Sequence, residues 1–195
     1  MAENQSTLAP SSKVVVIGGS AGSIEAVLQI FRELNPFNNF SLVIILHRKE
    51  FQQSDLAGLF SYHSPVPTTE IEDKWPLNNG EIYLAPADYH LLFEKDKTMT
   101  VDLSEKVNHS RPSIDVSFES AARTYGENTI GIILSGANHD GAKGLLTIKE
   151  AGGTTIVQSP IEATYPFMPR AAIREKAADH LFSCSQIAAY LNQIA

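Results

Sequence analysis

KVVVIGGSAGS, residues 13–23, passes from a run of β-branched residues into a glycine-rich turn holding one serine. A continuous apolar run of that kind suits a strand covered on both faces, as in a parallel sheet. After the turn, Ile24, Val27, Leu28 and Phe31 recur at helical spacing, so residues 24–34 are expected to form a helix. The same alternation continues outward. Residues 42–46, LVIIL, form a second buried strand ending at His47. A helix is expected at 53–62, broken by 64–67, and a strand at 81–85 stopped by Pro86. Residues 91–94 and 99–103 read as a β-hairpin around 95–97. A helix at 113–125 follows Pro112, then come a strand at 129–134, a helix to Ala151 ended by Gly152 and Gly153, and a strand at 154–157. Two short helices, 171–177 and 185–194, close the chain. Strands alternating with helices imply a doubly wound α/β fold, a mostly parallel sheet with helices on both faces, with the hairpin added. The expected organisation is a disordered polar tail at 1–12 and one domain at 13–195. In such sheets ligands bind beyond the C-terminal ends of the strands, which here means segments 18–23, 47–51 and 135–144.

The bulk properties narrow the function classes. With 195 residues and 43% hydrophobic content, the chain can bury a core without disulfides or metals. A net charge of −7 argues against a general nucleic-acid binder and against a polybasic hold on anionic lipid. One cysteine, Cys184, allows no intrachain disulfide and fits a reducing compartment. The first dozen residues lack a signal peptide's basic start and apolar run, and no apolar run approaches membrane-spanning length. A cytoplasmic protein with no membrane insertion is expected, and a monomer is the default. No H-x-x-x-H or paired-cysteine spacing occurs, so neither metal nor cofactor is expected.

Gly18-Gly19-Ser20-Ala21-Gly22 fits G-x-S-x-G between a strand and a helix. A sharp turn there lifts a serine oxygen above the sheet, and the first N–H groups of the next helix have no intrahelical partner. They point to where a tetrahedral oxyanion would form, with Ala21 N–H the first candidate donor and Gly22 N–H the second. The turn lacks the glycines of a dinucleotide fingerprint and the Gly-Lys-Ser/Thr of a P-loop, which weakens a phosphate-binding reading. A serine nucleophile needs a base. His47 follows a buried strand and should sit beside Ser20, with His139 and His180 as rivals. The base needs an acceptor, and Asp140 lies after the strand at 129–134, where it also suits a helix N-cap. Asp88, Asp102, Asp115 and Asp179 are alternatives, and an order Ser20, Asp140, His180 would imitate the α/β-hydrolases.

Six ordered segments resemble the catalytic domain of the chemotaxis receptor methylesterase family, CheB, from about residue 14 to 191: VIGGSAGSIEAV, ILH followed by Phe51, GEIYLAPADYH, RPSIDVSFESAA, IGIILSGANHDGAKGL and FMPRAAI. The resemblance implies that Ser20 is the nucleophile, His47 the base and Asp140 its partner, which favours His47 over its rivals. It also implies hydrolysis of γ-methyl esters on receptor glutamates through an acyl-enzyme, with glutamine deamidation in some members. The implied partner is the cytoplasmic helical region of methyl-accepting receptors. Arg111 and Met168 fall in family-like segments and are candidates for the substrate cleft, with Tyr165 to Pro169 as one wall; the alternatives are that Arg111 caps the fold and that Phe167 and Met168 belong to the core, the commoner fate of such residues.

The sequence departs from the family pattern around the site. Ala21 stands for a threonine and Ser23 for a glycine in the turn; Leu46 replaces the glutamine before the histidine; Ser135-Gly136-Ala137-Asn138 replaces Thr-Gly-Met-Gly. No receiver domain, the usual regulatory partner, is expected in this chain. The departures motivate two other readings: a binding module of the same fold with weakened catalysis, and an esterase for another substrate.

Overall fold

The computed structural model describes residues 12–48 and 55–195. The expected tail therefore lies almost wholly outside the described residues, as do Gln53 and Ser54 of the second expected helix. The elements run β1 (Lys13–Gly19), α1 (Ser23–Glu33), β2 (Phe40–Leu46), α2 (Leu56–His63), β3 (Thr68–Glu70), β4 (Trp75–Pro76) and β5 (Ile82–Leu84). They continue β6 (His90–Phe93), β7 (Thr98–Asp102), α3 (Ile114–Tyr125), β8 (Thr129–Ile133), α4 (Ala142–Glu150), β9 (Thr154–Gln158), α5 (Phe167–Arg174), β10 (His180–Phe182) and α6 (Cys184–Gln193).

Seven strands form one sheet in the order β10-β9-β8-β1-β2-β5-β3, and every pairing in it is parallel. The expected hairpin is present as β6 and β7, which join β4 in a separate antiparallel sheet. Because side chains alternate along a strand, β1 feeds two cores. Val14 and Val16 pack with Ile114, Phe118, Leu145 and Met168 on the face carrying α3, α4 and α5. Val15 and Ile17 pack with Val27, Ile30, Phe60 and Ile187 on the face carrying α1, α2 and α6. This two-sided burial explains why β1 and β2 read as unbroken apolar runs rather than as alternating ones.

The chain leaves β1 toward β2 through α1 on one face, and leaves β8 toward β9 through α4 on the other. The crevice between β1 and β8 is thus the point where the winding reverses, and it opens at the C-terminal strand ends.

Several short elements depart from the sequence reading. β3, β4 and β10 were not anticipated; they are two or three residues long and are defined by backbone pairing to a neighbour rather than by a pattern of their own. The helix expected at 171–177 spans Phe167–Arg174. Pro169 sits in its first turn, where no intrahelical N–H is lost. The second expected helix begins at Leu56, because the Asp55 side chain accepts from Gly58 N at 2.7 Å and caps it.

Helix α3 lies close against the end of β1. A Cβ added to Gly18 would stand 2.4 Å from Ile114 Cγ2 and 3.2 Å from Phe118. Gly18→Ala is therefore expected to cost about 2 kcal/mol of stability through overpacking, measured by urea denaturation. A loss below about 0.5 kcal/mol, the range of surface changes, would mean that α3 is free to shift.

Candidate active site

The register of the two central strands pairs Gly19 with Leu46, so the next residues, Ser20 and His47, emerge side by side at the sheet edge. Ser20 is held from both directions. Its N–H donates to Ser135 O at 2.9 Å, and its carbonyl accepts from Ser23 N at 3.1 Å and from the Ser23 hydroxyl. Gly22, at φ +75°, turns the chain into α1, and a Cβ there would strike Ser135 Oγ and Thr164 at 2.8 Å. Among the described residues no hydrogen bond engages the N–H of Ala21 or Gly22. Both amides lie at the start of α1, where the helix dipole favours negative charge. The Ser135 hydroxyl donates to Ala21 O at 2.8 Å and accepts from Tyr165 N at 2.9 Å. Two of the departures thus carry hydroxyls that brace the serine turn: Ser23 within it and Ser135 across from it.

His47 Nε2 lies 2.8 Å from Asp140 Oδ2. Asp140 is fully buried, yet it does not cap its own helix, as the sequence suggested; Gly141 takes that position in a left-handed conformation. The carboxylate turns instead to the N-terminus of α3. Oδ2 accepts from Ile114 N at 2.6 Å, and Oδ1 from Ser113 Oγ at 2.9 Å and Asn108 Nδ2 at 3.0 Å. A Cβ on Gly141 would meet Ile114 and Ile133 at 2.6 Å, so only glycine permits this approach. Burial would raise the Asp140 pKa, but the hydrogen bonds from His47, Asn108 and Ile114 outweigh it and hold the carboxyl down at about 2. It remains an acceptor for His47 throughout the neutral range.

Asp115, the second residue of α3, shares Asn108 with Asp140: the Asn108 amide donates to Asp115 Oδ2 at 2.9 Å. Burial pushes the Asp115 carboxyl up to about 6; the Gly144 N–H counteracts this, and the Asp140 charge adds to it. Two neighbouring carboxylates are thus driven in opposite directions. Burial opposes ionisation at both, but only at Asp140 do the donors outweigh it.

The remaining sequence candidates fall elsewhere. Arg111 donates to both Asp88 oxygens, at 3.2 and 2.9 Å, and to the carbonyls of Leu103 and Ser104 at 2.8 and 2.9 Å. Its guanidinium clamps the entry to α3 by tying those loops together. Met168 is fully buried on the inner side of α5, and a Cβ on Gly136 would lie 2.6 Å from its Cε. It supports the loop after β8 from below rather than lining a cleft. Tyr165 and Phe167, each about half exposed, are the side chains of that segment that reach the surface. Among the rival bases, His180 stacks on Phe182 at the far edge strand, and His139 is exposed. The Cys184 thiol is buried and pushed up to about 12 by desolvation and the Glu162 charge, as expected of an inert cysteine. Sequence reasoning missed Asn108, Ser113 and Asn138 as partners of His47 and Asp140. Of these, Ser113 carried a signal as the N-cap position of α3, and Asn138 only as a departure from the family's glycine.

The family model for CheB methylesterase matches residues 15–191. The crystal structure of the Thermotoga maritima CheB methylesterase catalytic domain superposes with a TM-score of 0.89 at 30% identity, covering 95% of this chain and all of that one. A Leptospira interrogans protein (serovar copenhageni), provisionally named a protein-glutamate methylesterase/protein-glutamine glutaminase, is 42% identical over 90% of this chain and 91% of its own length. A Hydrogenovibrio crunogenus protein of the same activity name is 33% identical over 91% of this chain, which spans 48% of that longer protein. The chain belongs to the CheB methylesterase family.

The Asp115 carboxyl has a testable consequence. A carboxyl raised in the folded state binds its proton more tightly there, so folding stability from this group falls as pH rises from about 4 to about 6 and then levels off. Asp140, depressed when folded, acts in a separate window: its contribution is present above about 4 and is lost as pH falls toward about 2. Asp115→Asn should therefore flatten the stability–pH curve between pH 4 and 6, followed by urea denaturation across that range. An unchanged slope would place the Asp115 proton elsewhere.

Proposed function

We propose that this chain is a serine esterase that removes γ-methyl esters from glutamate side chains of chemotaxis receptors, using Ser20, His47 and Asp140. The observation that carries the reading is the buried Asp140 carboxylate, supplied with donors by α3 and bonded to His47 at 2.8 Å, beside a serine lifted above the sheet. Asp140 only accepts, so Nε2 carries the proton and Nδ1 is the basic nitrogen. Ser20 Oγ attacks the ester carbonyl as its proton passes to His47 Nδ1, and Asp140 steadies the imidazolium. The N–H groups of Ala21 and Gly22 receive the oxyanion. Ala21 acts here through its backbone, so the missing threonine side chain is no obstacle. Collapse of the tetrahedral species expels methanol, which takes the proton from Nδ1. A water then attacks the acyl-enzyme with Nδ1 again as base, giving glutamate and free Ser20. A glutamine side chain entering the same path would release ammonia and leave glutamate, in keeping with the second activity in the relatives' names. The substrate is the helical cytoplasmic part of a methyl-accepting receptor, whose long exposed glutamate side chains can reach an open strand edge. Action there places the protein in the cytoplasm; among the described residues no helix is long and apolar enough to cross a membrane.

Release of methanol from a methylated receptor signalling segment tests the reading. The intact protein should release it, and Ser20→Ala should be slower by on the order of 10⁴-fold or more. Equal release by both proteins would remove Ser20 from the chemistry. No release by either would favour a different ester or a binding role.

A further inference from the structure

Asn138 stands where the family pattern has glycine, and its side chain makes two contacts that together fix its orientation. Asn138 Oδ1 accepts from Asp140 N at 3.1 Å, so the amide NH₂ is the end directed at His47, with Nδ2 3.1 Å from Nδ1. The other ring nitrogen, Nε2, faces the Asp140 carboxylate at 2.8 Å and must donate to it. The imidazole is then left with one lone pair, on Nδ1, and Asn138 occupies it. That is the lone pair Ser20 needs. Among the described residues the Ser20 hydroxyl makes no hydrogen bond to His47.

We infer that Asn138 restrains acylation by competing with Ser20 for His47 Nδ1. This rests on the reading of Ser20 as nucleophile and His47 as base. The restraint does not serve to orient the ring: Asp140 already does that through Nε2, and Asp140 is itself fixed by Ile114 N and Ser113 Oγ. Before Ser20 can be deprotonated, the Asn138 amide must leave Nδ1. Asn138 is thus a positioning residue that acts through His47.

The experiment compares the rate at which a fluorophosphonate labels Ser20 in the unmodified protein, in Asn138→Ala and in Asn138→Ser. The serine variant keeps an acceptor for Asp140 N but is too short to reach Nδ1, so it guards against misfolding of the alanine variant. Both variants should label about fivefold faster. That is one hydrogen bond of about 1 kcal/mol, at tenfold per 1.4 kcal/mol. Methyl-ester release from a receptor segment should rise along with labelling. A ¹⁵N spectrum of the histidines supplies a readout that general loosening would not give. In the variants the His47 Nδ1 resonance should shift as the Asn138 amide gives way to the Ser20 hydroxyl, with Nε2 still protonated, and adding Ser20→Ala to either variant should move it toward that of a nitrogen accepting no hydrogen bond. Labelling of Ser20 in the unmodified protein with no gain in folded variants would overturn the restraint while leaving Ser20 as nucleophile. Labelling in none of the three would overturn both.

Discussion

The N-terminus of helix α3 meets a buried carboxylate, and much of the site's geometry follows from that contact. Asp140 has no exposure to solvent, and an ionised carboxylate in such a place costs several kcal/mol unless donors surround it. The donors come from Ile114 N, Ser113 Oγ, Asn108 Nδ2 and His47 Nε2. Two conditions bring them there. Gly141 adopts a left-handed conformation that lets the loop after β8 close on α3, and Gly18 lets α3 lie directly on the end of β1. Arg111 adds a third support by tying Asp88, Leu103 and Ser104 to the start of the same helix. The small antiparallel sheet contributes as well, since Ser117 and Ser120 of α3 hydrogen-bond to the backbone of Leu91 and Phe93.

The serine turn is held by a further set of contacts. Ser20 is held by Ser135 and Ser23, and Ser135 in turn by Ala21, Tyr165 and the Gln158 side chain, which accepts from Ser135 N at 2.8 Å. The site therefore has two halves on separate supports: the serine turn braced by the loops after β8 and β9, and the histidine–aspartate pair braced by α3. Strand register, which pairs Gly19 with Leu46, and the loop after β8, which carries both Ser135 and Asp140, bring them together.

The central sheet was legible because β1, β2 and β8 are buried on both faces and so write continuous apolar runs into the chain. Strands of two or three residues leave no such record: Thr68–Glu70 is defined by its backbone partners on β5, and His180–Phe182 is an exposed edge. In the site, strand ends located Ser20, His47 and the loop of Asp140. The environment of Asp140 was not legible. A position just before α4 suggested a cap on that helix, whereas the carboxylate serves α3, some twenty-five residues earlier in the chain. Arg111 and Met168 were drawn toward the cleft by family-like segments. Their physical fates, an ion-pair clamp and a core side chain, depend on loops meeting in space. Asn138 is the reverse case. It registered only as a departure from a glycine, and its hydrogen bond to His47 gives that departure a physical consequence.

The central claim is that the buried Asp140 carboxylate makes His47 a base for Ser20. Peptide mapping of a fluorophosphonate adduct in the unmodified protein and in Asp140→Asn tests it most directly. The adduct should fall on Ser20, and Asp140→Asn, though cooperatively folded, should form it slower by on the order of 10³-fold or more, since an amide no longer fixes the imidazole in the required tautomer. An adduct on another residue, or undiminished labelling in the folded variant, would contradict the account.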